Sequence, residues 1–160
     1  MQKNKKKGVQ AYESGKQLEN RVAKWLTKQG YTCWKSINAR GKTESRPYDV
    51  DVYATKGKVY KHHIWVECKA YKVKRSHIFK LVGSAKDVKD LYEQHPEVQK
   101  WASNMLMLVS NKGFDEDALR LASKHRIYCV IAGRTFQFIG RMSREGMKDV
   151  RHQNSNLSNW

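Results

Sequence analysis

Two segments rich in β-branched and aromatic residues, Tyr48 to Ala54 and Ile64 to Lys69, flank a Lys56-Gly57-Lys58 turn signal, and this pattern reads as a β-hairpin. A chain reversal near residues 57 to 59 brings Asp51 opposite, or nearly opposite, Glu67. Side chains alternate along a strand, so Glu67 and Lys69 share one face while Val66 and Cys68 take the other. Asp49 and Asp51 also share a face, so alternation does not choose between them. Two carboxylates on one patch of sheet suit Mg²⁺, which keeps its remaining positions for water and phosphate oxygens. A lysine beside them can orient a water molecule.

Composition points to the partner. The 160 residues carry 32 Lys and Arg against 15 Asp and Glu, a formal net charge of +17. Such an imbalance selects a polyanion, nucleic acid or an anionic membrane surface. No stretch approaches the ~18 apolar residues of a membrane span, and no signal-peptide hydrophobic region follows the basic N-terminus. Nucleic acid is therefore the expected partner, with no membrane. Acids are scarce in so basic a chain, and only Asp49, Asp51 and Glu67 lie between Glu44 and Asp87. Their place in apolar strands argues against a merely solvated hairpin surface. Cys33, Cys68 and Cys129 lack metal-ligand spacing and sit in apolar runs, which reads as buried thiols in a reducing cytoplasm.

The length fits one domain with a real core. Residues 1 to 12, with Lys5, Lys6 and Lys7, read as a basic flexible tail. Leu18, Val22, Trp25 and Leu26 recur at helical spacing, predicting a helix from about Gly15 to Gln29 that stops at Gly30. Glu19 borders that buried stripe, where a carboxylate wants a partner. Tyr31 to Ile37 reads as a strand, followed by a basic loop with Arg40, Lys42 and Arg46 that Pro47 closes. Ser36 to Thr43 nearly spells a phosphate-binding P-loop. Ser36 stands where its first glycine belongs, however, and no apolar helix follows, so a basic loop touching DNA phosphates explains it better.

After the hairpin, Ile78, Leu81, Val82, Ala85, Val88 and Leu91 predict a helix capped at Ser76, with Gly83 as a point of interruption and Pro96 as its end. A central strand over Asn104 to Ser110, a short helix carrying Phe114, Ala118, Leu121 and Ala122, and a strand over Ile127 to Ala132 form a β-α-β unit with a right-handed crossover. Thr135 to Ile139 is a short last element, and residues 141–160 read as a polar tail or linker. His62 and His63 have no second pair at zinc spacing and begin a strand.

Taken together, these motifs resemble the PD-(D/E)XK nuclease superfamily, whose signature is an Asp on one strand and Glu-x-Lys on the next. The matching positions are Asp51, Glu67 and Lys69. Ser14-Gly15-Lys16-Gln17-Leu18-Glu19, running on through Val22 and Leu26 to Gly30-Tyr31, is similar to the first helix of Mrr-like restriction endonucleases and archaeal Holliday-junction resolvases. In those groups a helix glutamate joins the metal site, and here it would be Glu19. The resemblance covers roughly residues 14 to 140 and implies a restriction-endonuclease-like α/β fold. Its mixed central β-sheet would be flanked by helices on both faces, in a nuclease domain over residues 13–140. Pro47 lies two residues before Asp49 and four before Asp51, so Asp49 competes for the metal. The Val50-Asp51-Val52-Tyr53-Ala54 run fits the family register better.

The activity implied by the resemblance is DNA phosphodiester hydrolysis by an activated water, with Mg²⁺ or Mn²⁺ as cofactor. Asp51, Glu67 and the backbone carbonyl of Cys68 would hold the ion, and Glu19 a bound water or a second ion. Lysine's ordinary pKa of ~10.4 is too high for an efficient base at neutral pH, so Lys69 is expected to orient water and stabilise charge. DNA phosphates would meet Lys5, Lys6, Lys7, Arg40, Lys42, Arg46, Lys72, Lys74 and Arg75. Trp65 and Tyr71 share the face of Glu67 and Lys69 and are expected to pack against the first helix. Many nucleases of this fold act as homodimers, though no patch in the sequence identifies an interface. The alternatives are a Holliday-junction resolvase, the nuclease domain of a longer protein, and a non-catalytic nucleic-acid-binding module. The complete set Glu19, Asp51, Glu67 and Lys69 argues against the last.

Overall fold

The computed structural model describes residues 2–59, 61–97 and 99–139, and the expected tail over 141–160 lies outside the described residues. In chain order the elements are α1 (Gln2–Lys28), β1 (Thr32–Ala39), β2 (Tyr48–Lys56), β3 (His62–Lys69), α2 (Arg75–Gln94), β4 (Met105–Ser110), α3 (Glu116–Lys124), β5 (Ile127–Ala132) and β6 (Phe136–Ile139). The strands form one six-stranded sheet in the order β1-β2-β3-β4-β5-β6. β1, β2 and β3 pair antiparallel, β3, β4 and β5 pair parallel through α2 and α3, and β6 returns antiparallel. This is the mixed α/β sheet expected.

Helices cover both faces. On one, Leu18, Val22 and Leu26 of α1 are buried in a cluster with Val52, Ala54, Ile64 and Val66. Burying each such side chain stabilises by about 1.5–3 kcal/mol, which outweighs the modest helical preference of the segment. Trp25 extends the contact by stacking on Phe136 at 4.4 Å. On the other face, Ile78, Leu81, Ala85 and Val88 of α2 join Ala118 and Ala122 of α3 over Tyr53, Trp65 and Leu108.

Several boundaries differ from the expectation. α1 begins at Gln2 rather than near Gly15, so from residue 2 the backbone of the basic segment 1–12 is helical rather than irregular. Lys, Gln and Ala there are good helix formers, and the segment contains no proline. The N-cap position of α2 is Lys74, not Ser76. The Lys74 amide donates to His77 Nδ1 at 2.9 Å, so an imidazole takes over the usual role of a capping oxygen. Gly83 does not interrupt α2, being exposed on its outer side. Trp65 packs beneath α2, not α1, because odd-numbered β3 residues face away from the first helix. Tyr71 is 49% exposed and lies beside His77.

Candidate active site

The β2–β3 register pairs Val52 with Val66 and Tyr53 with Trp65. Carried one residue further, it sets Asp51 across from Glu67. The ladder stops there because the Asp51 side chain takes over: its carboxylate accepts the Cys68 amide hydrogen at 2.8 Å. A strand residue directs its N–H and C=O to the same neighbour, so the Cys68 carbonyl also faces the β2 side. β1 breaks its regularity at the same level. Lys35 pairs with Val52 and Ile37 with Val50, leaving Ser36 between them at φ 52°, a left-handed conformation rare outside glycine. Cys33 packs with the α1 cluster but Ile37 with the α2 cluster, and Val52 and Val50 divide likewise. Both strands therefore swap faces around Asp51, which presents its carboxylate at a kink in the sheet.

Glu67 accepts the Trp65 indole N–H at 3.1 Å and lies 3.6 Å from the Lys69 ammonium. Burial, then the charge of Glu67, pushes the Asp51 pKa up to about 7, against the opposing pull of the Cys68 amide. Glu67 is also raised, by burial, although Trp65 and Lys69 oppose this. Burial alone would depress Lys69, but Glu67 and Tyr71 outweigh it and raise its pKa. The lysine is thus held protonated. Two carboxylates brought together out of water are each driven toward the neutral form, a situation that a small, hard divalent cation relieves. Asp51, Glu67 and the Cys68 carbonyl are oxygen donors of the type such an ion takes, so the residues present fit it.

Glu19 stands near this pair rather than in it. Its carboxylate receives Lys16 Nζ at 3.1 Å, and the same ammonium donates to Ser36 Oγ at 2.9 Å, bracketing α1 to the kink in β1. Glu19 is close enough to contribute to the raised pKa of Asp51. Among the described residues, no group of three or more His, Cys, Asp or Glu side chains is disposed to hold a metal ion. Asp49 is exposed at the start of β2, while Asp51 is half-buried.

Asp51, Glu67 and Lys69 line a cavity of about 390 Å³ whose far wall is α2, through His77, Lys80 and Ser84. These three were missed in the sequence, although their spacing places them along one stripe beside the apolar one. Burial, followed by Lys69, Lys74 and Lys80, lowers the His77 pKa, so this imidazole tends to be neutral.

The basic loop before β2 is pinned to α2 by a residue that was also missed. Asp87, buried, accepts the Thr43 amide at 3.0 Å, the Thr43 hydroxyl at 2.9 Å and the Tyr48 hydroxyl at 2.9 Å. Burial would raise its pKa, but the Tyr48 and Thr43 hydrogen bonds prevail and lower it. Gly41 is required by close approach: a Cβ there would fall 2.6 Å from the Tyr48 ring. Arg40, Lys42 and Arg46 on this loop are exposed, as are Lys72, Lys74 and Arg75 beyond β3. The side chains of Lys5, Lys6 and Lys7 lie outside the described residues. Cys68 and Cys129 are buried thiols, whereas Cys33 is only partly buried. No helix among the described residues is long and apolar enough to cross a membrane.

This arrangement has relatives. A solved structure described as a protein of unknown function, AF1548, superposes with a TM-score of 0.56 at 18% identity, covering 72% of this chain and 56% of that one. The likeness is one of fold, and the chain spans little more than half the length of that protein. No curated relative matches the chain. The Mrr catalytic-domain model, described as restriction endonuclease, matches residues 11–137, a span that takes in Glu19, Asp51, Glu67, Lys69, strands β1 to β5 and the start of β6, so the chain belongs to the restriction endonuclease family of the Mrr type.

Proposed function

We propose that this domain is a metal-dependent DNA endonuclease that hydrolyses phosphodiester bonds with an activated water. The observation that carries the reading is the half-buried pair Asp51 and Glu67, set across two strands with a protonated Lys69 beside them. Asp51, Glu67 and the Cys68 carbonyl would hold Mg²⁺ or Mn²⁺, with Glu19 positioning a water or a second ion at the edge of the site. Such an ion, when bound, supplies Lewis-acid polarisation of the phosphodiester and acidifies water. Lys69 orients the attacking water and stabilises the charge that develops on the phosphoryl oxygens. Lys80 and His77, on the opposite wall of the cavity, close it around the phosphate. Arg40, Lys42 and Arg46, on the pinned loop, and Lys72, Lys74 and Arg75 hold the flanking backbone of DNA through sequence-independent contacts.

The test is incubation of the protein with supercoiled plasmid and with a four-way junction, under Mg²⁺, Mn²⁺, Ca²⁺ or chelator. Cleavage is expected with Mg²⁺ or Mn²⁺, binding alone with Ca²⁺, and neither nicking nor linearisation in chelator. Undiminished cutting in excess chelator would overturn the metal assignment. Binding without cleavage under every metal would leave the non-catalytic module as the better reading.

A further inference from the structure

At the other end of the hairpin lies a second cavity, of about 430 Å³, between β1, β2 and the segment leading into β4. Its walls are aromatic. Trp34 stands 6.1 Å from Tyr53 and 5.8 Å from Trp101, and Tyr53 meets Trp101 nearly edge-on at 5.1 Å. The Tyr53 hydroxyl donates to the Ala102 carbonyl at 2.8 Å and lies 3.0 Å from His63 Nδ1, which fixes the ring. Trp34, in contrast, keeps 39% of its surface exposed. A large, flat ring left partly open on a rigid aromatic base offers surface on which another flat ring can stack.

The rim is basic. Lys61 and Lys100 are exposed there, and the Lys100 ammonium sits 4.9 Å from the Trp101 ring centre. Lys56 is already committed, donating to the Gln29 carbonyl at 2.7 Å. None of the described residues lining the cavity is Asp or Glu. That absence disfavours a cationic guest, which an aromatic box would otherwise suit. Flat π-faces and positive charge select a flat ring bearing an anion.

We propose that Trp34 and Trp101, with Lys61 and Lys100, form a second, non-catalytic site for a single unpaired nucleotide, its base stacked on Trp34 and its phosphate held by the lysines. His63 lines this cavity and Glu67 the catalytic one, four residues apart on β3 and on the same face, so the two sites are separated by about 13 Å. The source of the nucleotide rests on the DNA reading above; the chemistry of the site does not. A free nucleoside phosphate offers the same ring and charge as an unpaired nucleotide in a strand.

The experiment uses the full chain carrying Asp51→Asn, in chelator, with fluorescence anisotropy of a labelled short oligothymidylate. Adding Trp34→Ala should weaken binding roughly 5- to 150-fold, the range of one base–aromatic stack. Trp34→Phe should restore most of it, and Lys100→Glu should weaken it independently. A blunt duplex should be bound equally with and without Trp34→Ala. Competition by thymidine monophosphate at concentrations comparable to the oligonucleotide would assign the site to free nucleotides, and its failure to compete to a strand. A Trp34→Ala chain that is folded by circular dichroism and binds the oligonucleotide as tightly as its parent overturns the proposal. Failure of the nuclease reading shows elsewhere, as an unsubstituted chain that does not cut plasmid with Mg²⁺.

Discussion

The Asp51 carboxylate accepts the backbone amide of Cys68 at 2.8 Å, closing a strand pair with a side chain where the ladder would otherwise continue. One acid thereby terminates the pairing, faces Glu67, and turns the Cys68 carbonyl toward the same side. The positive φ of Ser36 on the adjoining strand stores local strain of roughly 1–3 kcal/mol at the same level, a cost usually met where a site needs its geometry. Sheet regularity has been exchanged for a carboxylate in a chosen position.

Asp51→Asn preserves the shape and the contact with Cys68 while removing the charge. It is expected to abolish metal-dependent cleavage and to leave DNA binding intact or slightly stronger, since one negative charge is lost. Asp49→Asn, altering an exposed residue, should keep substantial activity. Plasmid cleavage by the two variants decides the matter: a dead Asp49→Asn with an active Asp51→Asn would place the site two residues too far along β2.

The raised pKa of Asp51 makes a prediction about stability. Its folded value of about 7 exceeds the ~3.9 of an unfolded chain, so the folded state holds this proton more tightly. The resulting stabilisation is present below the unfolded pKa and is lost as pH rises through about 7. In chelator at pH 8, Asp51→Asn should therefore melt above the parent, by ~2–4 °C for each 1 kcal/mol recovered. The gap should shrink toward pH 5, and Mg²⁺ should narrow it at pH 8 by stabilising only the parent. Equal melting temperatures at pH 8 without metal would mean that the carboxylate pair is not electrostatically strained.

The hairpin was legible because its signals are local. Alternation in Ile64 to Lys69 and a glycine turn determine which residues share a face, and the observed register agrees. The helical stripe of Leu18, Val22 and Leu26 was equally plain. Which face each helix covers was not, since alternation carries no label for the partner, and Trp65 accordingly lies under α2 instead of α1. Asp87 was invisible for a different reason. Its three donors come from residues 43 and 48, and nothing in a helical acid announces a contact with a loop some forty positions earlier. His77 and Lys80 were hidden among the many basic residues of this chain until α2 placed them across the cavity from Glu67.

Lys69 separates chemistry from affinity. With Glu67 at 3.6 Å holding it charged, it is suited to stabilising a transition state and poorly suited to removing a proton. Lys69→Ala should lower the single-turnover rate by about 10²-fold or more while DNA affinity changes little. A variant that binds poorly but cuts bound DNA normally would make Lys69 an ordinary phosphate contact.

The clamp on the basic loop can be tested without touching the carboxylates. Asp87→Ala removes the acceptor of the Thr43 amide, the Thr43 hydroxyl and the Tyr48 hydroxyl, and should destabilise by about 0.5–1.5 kcal/mol for each hydrogen bond lost. Gly41→Ala reaches the same end by a different route, because its new Cβ would press on the Tyr48 ring and the Asp87 carboxyl and push the loop off α2. If Arg40, Lys42 and Arg46 bind DNA phosphates, displacing the loop frees up to three of those phosphates. The slope of log affinity against log salt should then become shallower by about 0.9 for each phosphate no longer neutralised. Both variants should show this flatter slope while Mn²⁺ binding at the carboxylates, followed by calorimetry, stays as in the parent. Were Gly41→Ala to weaken cleavage with an unchanged salt slope, the loop would shape the cavity through Tyr48 and not hold the DNA.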